Sequence, residues 1–147
     1  MLPLVLGVAP WGLSLLSPRY GWEAGHPGPL NLFPLVLVVI SIACVIWIIV
    51  LHAVEAPEGW ELERTPKYLL TRGPYEFSRN PSYLSLLVAL SGWMLFYGSV
   101  AILVTIVGVW GFLNHVIVPM EERDLEARFG EDYRRYRNRV RRWLGKT

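Results

Sequence analysis

Cys44 is the only cysteine in the 147 residues, so the chain can form neither an intrachain disulfide nor a Cys–Cys metal site. Its three histidines, His26, His52 and His115, are widely dispersed, which is a poor basis for a metal centre. No G-x-G-x-x-G run is present, and the long apolar stretches leave no room for a doubly wound sheet, so a soluble-type dinucleotide fold is excluded. No basic residue occurs in the first 18 positions, so the charged start of a secretory signal is missing, and these residues are expected to be a retained membrane segment. No aromatic-plus-basic module of the kind that grips nucleic acid is visible, and no nucleic-acid partner is expected.

What the chain does have is apolar surface. The hydrophobic fraction is 53%, with seven Trp and seven Tyr, too apolar for an ordinary soluble domain of this size. Residues 30–51 carry no charge and would make roughly 33 Å of helix, enough to span a bilayer core. Residues 2–16 are shorter and hold Pro3 and Pro10, which suits a kinked or tilted helix. Residues 82–114 are also uncharged but too long for one crossing, so two helices, about 82–96 and 99–118, are expected to meet at Tyr97-Gly98-Ser99. Gly92, Gly108 and Gly111 are candidates for close helix contacts.

The expected fold is therefore an all-α integral membrane protein. It has about four transmembrane helices, a helical hairpin of the third and fourth, and an amphipathic basic C-terminal helix over residues 121–144, interrupted near Gly130. Leu125, Phe129, Tyr133, Tyr136, Val140 and Trp143 form one apolar stripe on that last helix, with arginines crowding the rest of its surface. Such a helix would lie at the headgroup interface or fold back over the ends of the spans. Nine of the 14 basic residues lie from Arg123 onward, and Arg64, Lys67, Arg72 and Arg79 precede the third span. Two crossings separate these regions, so both should face the cytoplasm and the loop at 17–29 the other side. A multi-pass protein of a prokaryotic inner membrane is the expected setting. The whole chain is read as one domain, with spans at 1–54 and a functional core at 69–144.

Two polar clusters interrupt the apolar pattern. The first is Thr71 to Tyr83, where Pro81 suits the first turn of the third span and Asn80 or Ser78 its cap. The second, Glu121-Glu122-Arg123-Asp124, follows the last span. Read alone, its acids are a solvated helix start that complements the helix dipole.

Gly73-Pro74-Tyr75, Arg79-Asn80-Pro81-x-Tyr83, Glu121-Glu122-x-x-Leu125, Phe129-Gly130 and Tyr133-x-x-Tyr136 resemble, in that order, the isoprenylcysteine carboxyl methyltransferase and phospholipid methyltransferase superfamily. The resemblance covers about half the chain. It implies an S-adenosylmethionine enzyme whose cofactor lies at the cytosolic ends of membrane helices and whose lipophilic or prenylated acceptor enters from the bilayer. Tyr75, Arg79, Asn80, Pro81, Tyr83, Glu121 and Glu122 are then the cofactor-binding candidates, with Arg79 for the carboxylate and the glutamates for the ammonium or ribose. The tyrosines would pack on the sulfonium or adenine. Glu121 and His115 are the catalytic candidates, His115 as a base for an amino-headgroup lipid; a carboxylate acceptor needs no base at neutral pH. No metal is expected. Asn80 stands where many members have His, and residues 116–120 lack the Arg that often precedes the glutamate pair in eukaryotic isoprenylcysteine enzymes. Two other readings are a nicotinamide-dependent membrane reductase and a non-enzymatic scaffold whose tail binds anionic membrane lipids.

Overall fold

The computed structural model describes residues 7–55 and 68–146. Residues 2–6 of the first expected span, and Arg64 and Lys67, lie outside them. Among the described residues the elements are α1 (Ala9–Ser14), a short hairpin of β1 (Trp22–Glu23) and β2 (His26–Pro27), α2 (Pro29–Leu32), α3 (Leu35–Glu55), α4 (Pro81–Tyr97), α5 (Val100–Phe112) and α6 (Val118–Arg137). A 3-10 turn occupies Gly73–Glu76 and a π-helical turn Leu113–Ile117. Contacts cluster into two units, Met1–Ile42 with Ser85–Phe112, and Ala43–Leu84 with Leu113–Thr147. The units interleave along the chain.

Among the described residues, two stretches are long and apolar enough to cross a membrane, Pro29–Glu55 and Val100–Arg137. A core helix of a soluble protein can also be this apolar, but it would be mostly buried. Here only 17% and 11% of the respective apolar windows are buried. Val36, Val39, Ile46, Val50, Val104 and Val107 all face outward, and lipid is the environment in which such a surface is stable. Helix α4 matches the expected third span within a residue at each end, but at 17 residues it reaches only about 26 Å.

In the first unit the loop after α1 is fastened to the α4–α5 turn. Tyr20 N–H donates to the Gly98 carbonyl at 3.2 Å, Arg19 and Ser99 form an isolated bridge, and the Ser17 and Ser99 hydroxyls are 2.8 Å apart. The Trp22 indole and the Asn31 amide both donate to the Phe96 carbonyl, at 2.9 and 3.0 Å. Gly98 turns the chain with φ 58, and a Cβ there would lie 2.2 Å from the Tyr20 carbonyl oxygen, so only glycine fits. Gly92 does let backbones approach, since a Cβ would fall 2.9 Å from the Pro34 carbonyl oxygen. Gly108 and Gly111 show no such contact: among the described residues nothing lies within 4 Å of the same position.

The C-terminal part of the chain departs from expectation in two places. The helix expected as the fourth span does not end before the tail helix. Helix runs from Val100 through the π turn to Arg137, with non-helical geometry only at Gly130 (φ 52, ψ −118). The tail helix also stops at Arg137, not at residue 144. Residues 138–146 fold back instead, closed by an isolated bridge between Val140 and Lys146 and an Arg141 N–H to Gly145 carbonyl bond of 2.9 Å. The apolar stripe explains the fold-back. Tyr133, Tyr136 and Val140 are buried against Leu69, Tyr75, Leu125 and Phe129, so the tail packs back onto its own unit.

Candidate functional site

The corner at residues 77–80 is built by the 3-10 turn and held by the tail. Phe77 and Ser78 N–H groups both donate to the Pro74 carbonyl at 3.2 Å. Arg79 N–H donates to the Arg141 carbonyl at 3.1 Å, and Gly145 N–H to the Phe77 carbonyl at 2.8 Å. The Arg142 carbonyl takes two more, from the Ser78 hydroxyl at 3.3 Å and the Asn80 amide at 3.0 Å. Asn80 is therefore a clasp on the tail. Ser78 does the local turn work, its hydroxyl accepting the Asn80 N–H at 3.0 Å.

This clasp aims Arg79 at α6. Arg79 Nη1 pairs with Glu122 Oε1 at 2.8 Å, with both side chains largely buried. The same Nη1 donates to the Tyr133 hydroxyl at 3.2 Å. On the other side Arg142 grips Glu122 with two nitrogens, Nε to Oε1 at 3.1 Å and Nη2 to Oε2 at 2.7 Å, a bidentate fork. Arg142 Nη1 also approaches the Asn114 carbonyl at 3.4 Å, and the Trp143 indole donates to Asn114 Oδ1 at 3.0 Å.

The π turn accounts for that Asn114 carbonyl. Pro119 has no N–H to give, so the five-residue register leaves the Asn114 oxygen without its helical donor, and Arg142 takes the place.

Glu121 lives differently from its neighbour. It is exposed, and its Oε1 accepts a 2.6 Å bond from the Tyr83 hydroxyl. Among the described residues no guanidinium pairs with it. One glutamate thus sits between two arginines, a group of formal net charge +1, while the other is hydrogen-bonded to a phenol. Arg79 Nε is buried with no hydrogen-bond partner among the described residues. A buried orphan donor of this kind is what an anionic ligand or a water satisfies.

Tyr75 is half-buried, its ring 5.9 Å from His52, and its carbonyl accepts the Tyr136 hydroxyl at 2.8 Å. Burial pushes the Tyr75 hydroxyl up to about 12, against the lowering effect of a Ser82 hydrogen bond. Burial also raises Tyr133 and Tyr136, so all three phenols stay neutral at physiological pH. The hydrogen bonds that Arg142 donates to Glu122 raise its own pKa and keep its charge fixed.

Of the residues singled out from sequence, the structure brings Arg79 to Glu122 and Tyr83 to Glu121. Asn80 joins through the tail, and Pro81, buried, opens α4. His115 is exposed on the π turn. The partners that sequence reasoning missed are Arg142, Tyr133 as an Arg79 contact, and Asn114. An open groove of about 680 Å³ between Leu69, Thr71, Asp132, Arg135, Asn138 and Arg139 contains none of the predicted residues.

Comparison with known proteins bears on what this cluster serves. An uncharacterized protein from Haemophilus influenzae strain Rd is 46% identical over 63 residues, which is 42% of this chain and 98% of that protein. No solved structure matches significantly. The phospholipid methyltransferase family matches residues 30–132, which takes in the Arg79 corner and both glutamates. By that match, over most of its length, the chain belongs to the phospholipid methyltransferase family.

Proposed function

We propose that this chain is a single-domain integral-membrane enzyme that moves a methyl group from S-adenosylmethionine to a lipophilic acceptor. The observation that carries the reading is the meeting of two polar segments far apart in sequence, Arg79 with Glu122 and Tyr83 with Glu121. Their charges suit a zwitterion: the net-positive Arg79–Glu122–Arg142 group for a carboxylate, and the unneutralised Glu121 for an ammonium. The buried, partnerless Arg79 Nε fits the same assignment. When bound, S-adenosylmethionine supplies an electrophilic methyl group on a sulfonium. Arg79 and Glu121 would hold its amino-acid end, with Tyr75 and Tyr83 presenting rings beside it. The chain's contribution is orientation and exclusion of water.

Of the two acceptor classes, an amino-headgroup phospholipid and an isoprenylcysteine-like carboxylate, the family description favours the first. An ammonium must lose a proton before its nitrogen can attack. Glu121 and exposed His115 are the candidates to take it. The reductase and scaffold readings gain nothing from the family match.

Four spans with the Arg79 corner on the cytosolic side remain the topology we favour. It requires the loop at 17–29 and the Gly98 turn to lie on the same side, and the Tyr20–Gly98 hydrogen bond joins those two loops.

Isothermal calorimetry with S-adenosylmethionine in lipid nanodiscs tests the first claim, and tritiated-methyl transfer to phosphatidylethanolamine or to a farnesylcysteine analogue tests the second. Binding that is lost in Arg79→Ala and Glu121→Ala, together with label in one acceptor, is the expected result. A wild type that binds no S-adenosylmethionine ends the reading.

A further inference from the structure

Arg142 lies beyond the residues that the family matches and was expected to be one more cation on a solvated face. Instead it joins three separate pieces of the second unit. Its carbonyl receives Ser78 and Asn80, its Nη1 approaches Asn114, and its other two nitrogens hold both oxygens of Glu122. Arg79 shares that carboxylate through a single nitrogen. The division of labour is unequal: Arg142 makes the two-nitrogen fork to Glu122, and Arg79 makes one bond to it and keeps a buried donor uncommitted.

We infer that Arg142 is a positioning residue for the methyl donor. It neutralises Glu122, so that Arg79 is not consumed by that carboxylate and can turn its remaining donors to the carboxylate of the ligand. Without Arg142, Glu122 has one buried cation left to pair with, and the Arg79–Glu122 pair becomes neutral. A neutral pair has no net charge to offer an anion. The tail is on this account part of the ligand site through both its backbone carbonyls and the partly exposed Arg142 side chain. The inference rests on the proposed S-adenosylmethionine site and names a residue that acts behind it.

The test measures S-adenosylmethionine affinity and thermal midpoint for full-length protein in nanodiscs, comparing wild type, Arg142→Gln, Arg142→Lys, Glu122→Gln and the Glu122→Gln/Arg142→Gln double variant. Arg142→Gln should weaken binding about tenfold or more. Arg142→Lys, which keeps the charge but not the fork, should fall between it and wild type. The double variant should recover affinity relative to Arg142→Gln, because removing the Glu122 charge releases Arg79. A purely structural role predicts the opposite, with affinity and midpoint lost together in Arg142→Gln and neither regained in the double variant; that result overturns the inference. So does an Arg142→Gln that binds as wild type does. If wild type itself binds no S-adenosylmethionine, the functional reading has failed and this inference falls with it. Wild-type binding alongside an unaffected Arg142→Gln removes the inference alone.

Discussion

Arg19 and Arg79 are two partly buried arginines in a chain that is otherwise sparing with charge, and they are satisfied in opposite ways. Arg19 lies over the rings of Trp22 and Tyr97, at 4.8 and 5.1 Å, and donates to the Ser14 hydroxyl at 2.8 Å. Its surroundings are aromatic faces and a serine hydroxyl, and Tyr97 is stacked in turn on Trp93. Arg79 has a carboxylate at 2.8 Å, a second arginine on that carboxylate, and a buried nitrogen with nothing to bind among the described residues. The first arrangement is complete in itself and serves to tie loops together. The second has charge and a donor left over, as a site that waits for a ligand should.

That contrast can be broken by substitution. The largest effect is expected at Arg79→Ala, which should weaken S-adenosylmethionine binding by about a hundredfold or more while membrane insertion is retained, read by calorimetry and by membrane fractionation. Next comes Gly98→Ala, which forces a side chain into a left-handed turn against Tyr20. It should cost about 1–3 kcal/mol in stability, seen as a lower thermal midpoint in nanodiscs. Arg19→Ala should cost about 1–2 kcal/mol of stability through lost ring contacts and leave ligand affinity within about twofold of wild type. Equal loss of affinity in Arg19→Ala and Arg79→Ala would dissolve the distinction. The smallest effect is expected at Arg141→Ala, whose exposed side chain leaves the backbone bonds of the tail intact. Stability should stay within about 0.5 kcal/mol, with at most a modest loss of affinity for anionic liposomes in a flotation assay.

Much of this was legible from patterning. The uncharged runs give α3 and α4 to within a few residues, because in an apolar solvent only helix satisfies every backbone group. The Arg79 and Glu122 convergence was expected from the ordered motifs and is present at hydrogen-bond distance. Arg142 was not visible because the stripe Tyr136, Val140, Trp143 continues in helical period past Arg137, where the helix actually ends. Periodicity reports which residues seek burial, and a folded-back coil can bury the same residues as a helix. The continuity from Val100 to Arg137 was missed for a related reason. Pro119 argues for a break, yet the π turn absorbs the missing donor, and a side chain from the tail covers the exposed carbonyl.

The π turn also has a consequence for angular phase. Each residue of an α-helix advances the side-chain direction by about 100°, so a five-residue turn sets everything after it out of step with the span before it. Deleting one residue between Leu113 and Ile117 would restore the ordinary winding and swing Glu121 and Glu122 by about that angle. Both acids would remain in the chain, in the same order and at the same spacing, facing the wrong way.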